Sequence, residues 1–203
     1  MRSWTAVLML ALAGCTPLLP TPKPVEPTAR HALEPTALPA AHDVPAAAPR
    51  LAVLTVRSGP RLDGQAMLYR DASGRRGAFA ANRWIAPPDA QLGDWLVAAL
   101  ERAGGVAAVV APGGRGQAEL LLESELLHLE LDAAAEPGTL RVELRLQLLE
   151  AFGREVLATV RLEEREPLDA VGPTAMAEAA GRALARLLEA GAGFVREAVA
   201  ARG

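Results

Sequence analysis

Cys15 is the only thiol in the chain. It closes the string Leu12-Ala13-Gly14-Cys15 and stands directly before a proline-rich segment that begins Thr16-Pro17. A lone cysteine makes no intrachain disulfide. Other chemistry-bearing side chains are poorly placed. His31 and His42 lie among prolines and alanines with no cysteine or carboxylate cluster beside them, and read as solvated residues in preference to metal ligands. His128 has no nucleophile motif near it and reads as a strand histidine in preference to a general base. The sequence holds no GxSxG, Walker A or HExxH pattern. The glycine-rich string "APGGRGQ" (111–117) lacks the Lys and Ser/Thr of a phosphate cradle. Hence no catalytic residue, metal site or cofactor is expected beyond a covalent group on Cys15. Two arginine features stand out. Arg75-Arg76 sits in a polar turn, as a solvated tip or a partner contact. Arg83 precedes Trp84, a core aromatic or a partner contact.

The elements around Cys15 define its role. Met1-Arg2 is positively charged, and Trp4 to Leu12 is an apolar run of nine residues. That is too short for the ~20 residues of a spanning helix and fits the apolar core of a secretory signal peptide. With Ala13-Gly14 before the cysteine, the string resembles the lipobox of bacterial lipoproteins. The resemblance implies diacylglycerol on the Cys15 sulfur, cleavage after Gly14, and acylation of the new amino terminus. The alternative is an ordinary signal peptide with a chance cysteine. One acyl chain anchors only marginally and two or more anchor stably. Thr16 stands where an Asp would, by resemblance to enterobacterial lipoproteins, imply inner-membrane retention. The expected location is the periplasmic face of the outer membrane, the inner membrane being the alternative.

Residues 15–49 form the expected tether, with nine of the sixteen prolines in 16–49. Proline removes donors and fixes φ, so an extended, disordered linker is predicted. It would reach roughly 100 Å as polyproline II or about 30 Å as a coil. The net charge of −3 carries no basic footprint for nucleic acid.

From Arg50 the periodicity changes, and residues 50–203 are read as the folded domain. Strands are predicted at 51–56, 65–70 and 78–84, the last two as a hairpin. Pro87-Pro88-Asp89 opens a helix with an apolar stripe at Leu92, Trp95, Leu96, Ala99 and Leu100, closed by Gly104-Gly105. A short strand follows at 106–110. Residues 117–132 are read as a strand, with helix as the competing reading. Its apolar phase slips near Glu123–Glu125, which implies a bulge. Strands at 140–150 and 154–164 form a hairpin through Ala151-Phe152-Gly153. The predicted register sets Leu148 against Val156, Leu146 against Ala158, Leu144 against Val160, Glu143 against Arg161 and Arg141 against Glu163. Thr174 is the predicted N-cap of a final helix, whose stripe runs through Ala180, Leu184, Leu187, Leu188, Gly191, Phe194 and Val195. Gly191 and Gly193 are expected to kink or fray its last turns. The fold class is α+β: an antiparallel β-sheet with two α-helices packed on one face, preceded by the signal peptide (1–14) and tether.

The stretch from Leu51 to Leu100 resembles the ABC-type transport auxiliary lipoprotein family, the PqiC-like lipoproteins. The likeness rests on Leu62-Asp63, Tyr69-Arg70, Arg83-Trp84, Pro87-Pro88 and the helix Leu92 to Leu100. The later hairpin and Ala-rich last helix agree with it, so it covers most of 50–200. The long Pro/Ala linker and the Gly191/Gly193 pair depart from the family pattern. The resemblance implies an accessory that docks a periplasmic MCE-domain protein working with an ABC permease and ATPase. Such systems move lipids or other hydrophobic molecules between membranes. It also implies homo-oligomerisation as an option. Two other functions stand against docking: a lipid-binding periplasmic carrier, and, more remotely, an envelope hydrolase.

Overall fold

The computed structural model describes residues 27–62 and 64–202. The signal peptide, Cys15 and the first part of the tether lie outside the described residues, as does Asp63 of the Leu62-Asp63 turn. Among the described residues no helix is long and apolar enough to cross a membrane.

The fold is α+β, with one sheet of nine strands and two helices on one of its faces. It begins at β1 (Ala29–His31), β2 (Arg50–Val53), β3 (Arg57–Ser58), β4 (Ala66–Arg70) and β5 (Arg76–Trp84). Helix α1 (Pro88–Ala103) and β6 (Ala108–Val110) lead to three long strands, β7 (Leu120–Asp132), β8 (Thr139–Glu150) and β9 (Val156–Pro167), and then to α2 (Pro173–Ala200). β7 is the spine. One edge pairs antiparallel with β8, which pairs antiparallel with β9. The other edge is shared in succession by β2, β3 and β4, all parallel to it. β2 carries β6 in parallel; β4 carries β5 antiparallel, and β5 carries β1 in parallel. The sheet is therefore mixed and not wholly antiparallel. Short turns join β4 to β5, β7 to β8 and β8 to β9. β2 and β4 reach β7 only through a long connection that includes α1, and such a crossover makes a pair parallel.

The predicted bulge in β7 exists but falls later. The buried residues are Leu120, Leu122, Ser124 and Leu126, and then Leu129 and Leu131, with the register shift between Leu126 and His128. Ser124 takes a core position at 2% exposure. A polar residue on the inward phase made the pattern look broken three residues early.

The β8–β9 hairpin forms on the predicted faces in a different register. Leu148 faces Ala158, Leu146 faces Val160 and Leu144 faces Leu162, two residues beyond the expected pairs. Two consecutive residues of the connection, Gly153 and Arg154, have positive φ (88° and 55°). Glu150 N–H closes on Glu155 O, and Leu157 is an extra residue between the Leu149–Val156 and Leu148–Ala158 pairs. A shift of two preserves side-chain parity, so the apolar face survives. The charged face changes: Glu143 now faces Glu163 and Arg141 faces Arg165.

Thr174 is not the N-cap of α2. Gly172 holds that position without a side-chain cap, and Pro173 begins the first turn, where its fixed φ suits a helix start. Nor does the helix break at Gly191 or Gly193; it runs to Ala200. Gly191 is buried, and a Cβ there would sit 3.1 Å from Leu146 Cδ1, so its missing side chain lets helix and sheet approach.

The largest correction concerns the tether. Residues 29–42 are not a free linker but a strap across the helical layer. Ala29–His31 pair with Asn82–Trp84. Leu33 enters the core at 4% exposure. Its N–H donates to Gln91 Oε1 (2.8 Å), and its carbonyl accepts Trp95 Nε1–H (2.7 Å). Thr36 N–H reaches Gly181 O (3.1 Å), and Arg102 Nε–H reaches Pro39 O (2.8 Å). His31 Nε2–H donates to Asn82 Oδ1 (2.9 Å), and the His42 carbonyl packs against Gly104, whose φ is +68°. The segment is ordered through its backbone groups, which residues of the helices and of β5 satisfy; apolar periodicity contributes little.

Candidate functional site: the charged outer face of the sheet

The helices cover one face of the sheet, and the other carries the polar phase of β7, β8 and β9. Across β7 and β8 opposite charges meet, Glu125 with Arg145 and Glu130 with Arg141, and His128 faces Glu143. Across β8 and β9 like charges meet, as rows Arg145–Arg161, Glu143–Glu163 and Arg141–Arg165. Directly opposed like charges are unfavourable, and the rows are held by two cross-strand diagonals and two bonds along a strand. Arg141 Nη2 donates to Glu143 (2.8 Å) and Glu163 (2.9 Å), Arg161 Nη1 to Glu143 (3.1 Å), and Arg165 Nε to Glu163 (2.8 Å). Glu143 is 6% exposed and is the hub, with His128 Nε2 3.6 Å away.

Arg76 is committed to this face. Its Nε and Nη2 donate to the two oxygens of Glu130, each at 2.8 Å. This fork holds the Glu130 carboxyl below its ordinary range against the opposing effect of burial. Burial lowers the His128 pKa, and Arg141 lowers it further. Both effects disfavour the protonated imidazole, and among the described residues it has no hydroxyl or thiol within bonding distance. Ser124 lies on the opposite, core phase of the same strand, its Oγ buried without a partner. Among the described residues no cluster of three His, Cys, Asp or Glu could hold a metal.

The residues singled out by sequence scatter. Arg75 Nε donates to Asp71 at 3.1 Å, closing the turn at 82% side-chain exposure. Arg76 belongs to the Glu130 pair. Arg83 is exposed on β5, and Trp84 is buried at 1% exposure, so its ring is core and offers no surface to a partner. These four residues form no common site. The arginines and glutamates of 141–147 and 161–165 were legible as a polar face, but their grouping into rows depends on the register.

The surroundings of this face are shared with known structures. The fold is similar to that of a Xanthomonas campestris protein of the DUF330 family, with a TM-score of 0.74 and 20% identity over 85% of this chain and 98% of that one. It is also similar to the hypothetical protein CT253 of Chlamydia trachomatis, with a TM-score of 0.56 and 11% identity over 76% of this chain and 99% of that one. Identities this low carry the fold alone. No curated protein matches the chain. The model of the family described as "ABC-type transport auxiliary lipoprotein component" matches residues 31–191. That span begins inside β1, so the strap and the sheet fall within one unit. Matched over most of its length, the chain belongs to the ABC-type transport auxiliary lipoprotein components, a family of envelope-associated lipoproteins and not of enzymes.

Proposed function

We propose that the protein is a lipid-anchored docking accessory of an ABC/MCE-type intermembrane transport system. The observation that carries this over a lipid carrier is the closed interior. The space between helices and sheet, bounded by Leu33, Leu92, Leu126, Leu144, Leu184 and Leu187, amounts to about 10 Å³. Pockets for lipid-sized ligands start at roughly 300 Å³. An interior with no room for an acyl chain leaves the surface to act. The broad charged face of β7, β8 and β9 offers a surface that discriminates partners by charge.

Diacylglycerol on Cys15 is the anchor, and the periplasmic face of the outer membrane is the location that Thr16 favours. The strap shortens the reach. Ala29 is fourteen residues beyond Cys15, so the anchor and the sheet are at most about 50 Å apart even at full extension. The proposed partner is an MCE-domain protein that works with an ABC permease and ATPase and extends to within that range. Homo-oligomerisation is compatible with the reading.

In-cell crosslinking of the full-length lipoprotein, followed by purification from membranes, is expected to recover an MCE-domain protein. Repeated absence of one from crosslinked material refutes docking. Native mass spectrometry tests the carrier: a lipid retained in stoichiometric amount by the Arg70→Gln protein as well as by the unaltered one would restore it.

A further inference from the structure

A groove of about 380 Å³ opens on the outer face beside the β7–β8 turn. Arg70 of β4, Arg141 of β8 and Arg165 of β9 line it, with Glu130, Asp132 and His128. Of its acids Glu130 is fully occupied and Asp132 partly so. Both oxygens of Glu130 are held by Arg76, and Asp132 Oδ1 accepts the N–H of Ala134 at 3.1 Å. Its arginines have donors to spare among the described residues. Arg70 has Glu130 at 3.7 Å as its carboxylate, beyond hydrogen-bond distance. Arg165 uses only Nε, toward Glu163, and its side chain is 65% exposed. Arg141 uses Nη2, while its Nε is buried with no partner. A buried donor left unpaired carries a desolvation cost that an acceptor would remove.

We propose that this groove binds a phosphoryl group. The three guanidiniums come from three different strands, Arg141 and Arg165 opposed across β8 and β9 and Arg70 on β4 at the other edge of β7. A planar carboxylate has two oxygens to offer them. A tetrahedral phosphoryl group presents three or four acceptors in divergent directions, and guanidinium pairs well with it. Two sources share this chemistry, a lipid head group and a free phosphate. The site is independent of docking: it stands or falls whichever protein the crosslinking recovers.

Titration calorimetry on the full-length protein in nonionic detergent tests it. The probes are inorganic phosphate, dihexanoyl phosphatidylglycerol and acetate. Phosphate or the short-chain lipid is expected to bind saturably. Arg70→Gln and Arg165→Gln should each weaken binding about tenfold, the scale of one charge-assisted hydrogen bond. Both side chains are substantially exposed (44% and 65%), so the fold tolerates the changes. Arg83→Gln, on β5, should leave binding unchanged. Saturation by the lipid with the same dependence on Arg70 and Arg165 makes the source a head group. Saturation by phosphate alone makes it the free anion. No saturation by either probe, acetate binding as tightly as phosphate, or binding unaffected by Arg70→Gln and Arg165→Gln would overturn the proposal.

Discussion

Two glycines of the same helix should respond to alanine with opposite signs. Gly193 lies in α2, and a Cβ placed there meets nothing closer than Arg196 Nη2 at 3.9 Å. Gly193→Ala therefore gains helix propensity, about 1 kcal/mol, with no steric charge against it. Gly181 lies in the same helix under the strap. A Cβ there would come within 2.5 Å of the Glu34 carbonyl oxygen, a backbone atom, and Thr36 N–H donates to Gly181 O. Gly181→Ala gains the same ~1 kcal/mol of propensity but must lift the strap. Lifting it loses the Thr36 hydrogen bond, about 1 kcal/mol. It also exposes part of Leu33, whose full burial contributes roughly 1.5–3 kcal/mol. The net expectation is a loss of about 1–2 kcal/mol. For a chain of this size 1 kcal/mol moves Tm by roughly 2–4 °C. Gly193→Ala should raise Tm by about 2–4 °C, and Gly181→Ala should lower it by a similar amount or more. Hydrogen exchange adds a local readout, since the Leu33 and Thr36 amides should exchange faster in Gly181→Ala alone. If Gly181→Ala stabilises as Gly193→Ala does, the strap is not seated on α2 and the shortened reach to the membrane falls with it.

Trp95→Phe removes the indole donor that holds the Leu33 carbonyl; it should cost about 1 kcal/mol and speed exchange at the same strap amides. Glu143→Gln removes the hub between the arginine rows. Because Arg161 is 66% exposed and can be hydrated, the expected loss is about 1–3 kcal/mol by urea unfolding, partly recovered at high salt. Acid stability should depend on Glu130. The Arg76 fork and other nearby positive charges depress its folded pKa below the ordinary 4.5. Its stabilisation is therefore complete above about pH 4.5 and lost as pH falls through the folded value. The pH dependence of the urea midpoint below about 4.5 should be shallower in Glu130→Gln than in the unaltered protein. An identical slope would show that the fork contributes nothing.

The longer strands and the two helices were legible because they rest on local periods, whereas the short strands β1 and β3 carry no such period and read as linker and turn. The alternation Leu140, Val142, Leu144, Leu146, Leu148 defines one face whatever lies opposite, and these five residues are buried. The α1 stripe and the positive-φ stop at Gly104 are equally local. The outer face was visible as polar from the same alternation. Its grouping into rows was not: the turn sequence admits more than one backbone path, and the pairing of charges depends on which path is taken.

Local chemistry in the sequence determined where the longer strands and both helices run, which face of each is apolar, and that Cys15 is the only thiol. Those features depend on neighbours a few residues away. Tertiary structure alone decided the rest. The parallel pairing of β2, β3 and β4 along β7 needs a crossover through α1. The two-residue register of β8 on β9 needs the path of the 151–155 connection. The ordering of residues 29–42 needs acceptors and donors on Gln91, Trp95, Arg102 and Gly181, more than forty positions away in the chain. A proline-rich segment with little apolar pattern reads as linker until something distant satisfies its backbone, and here helices α1 and α2 do so.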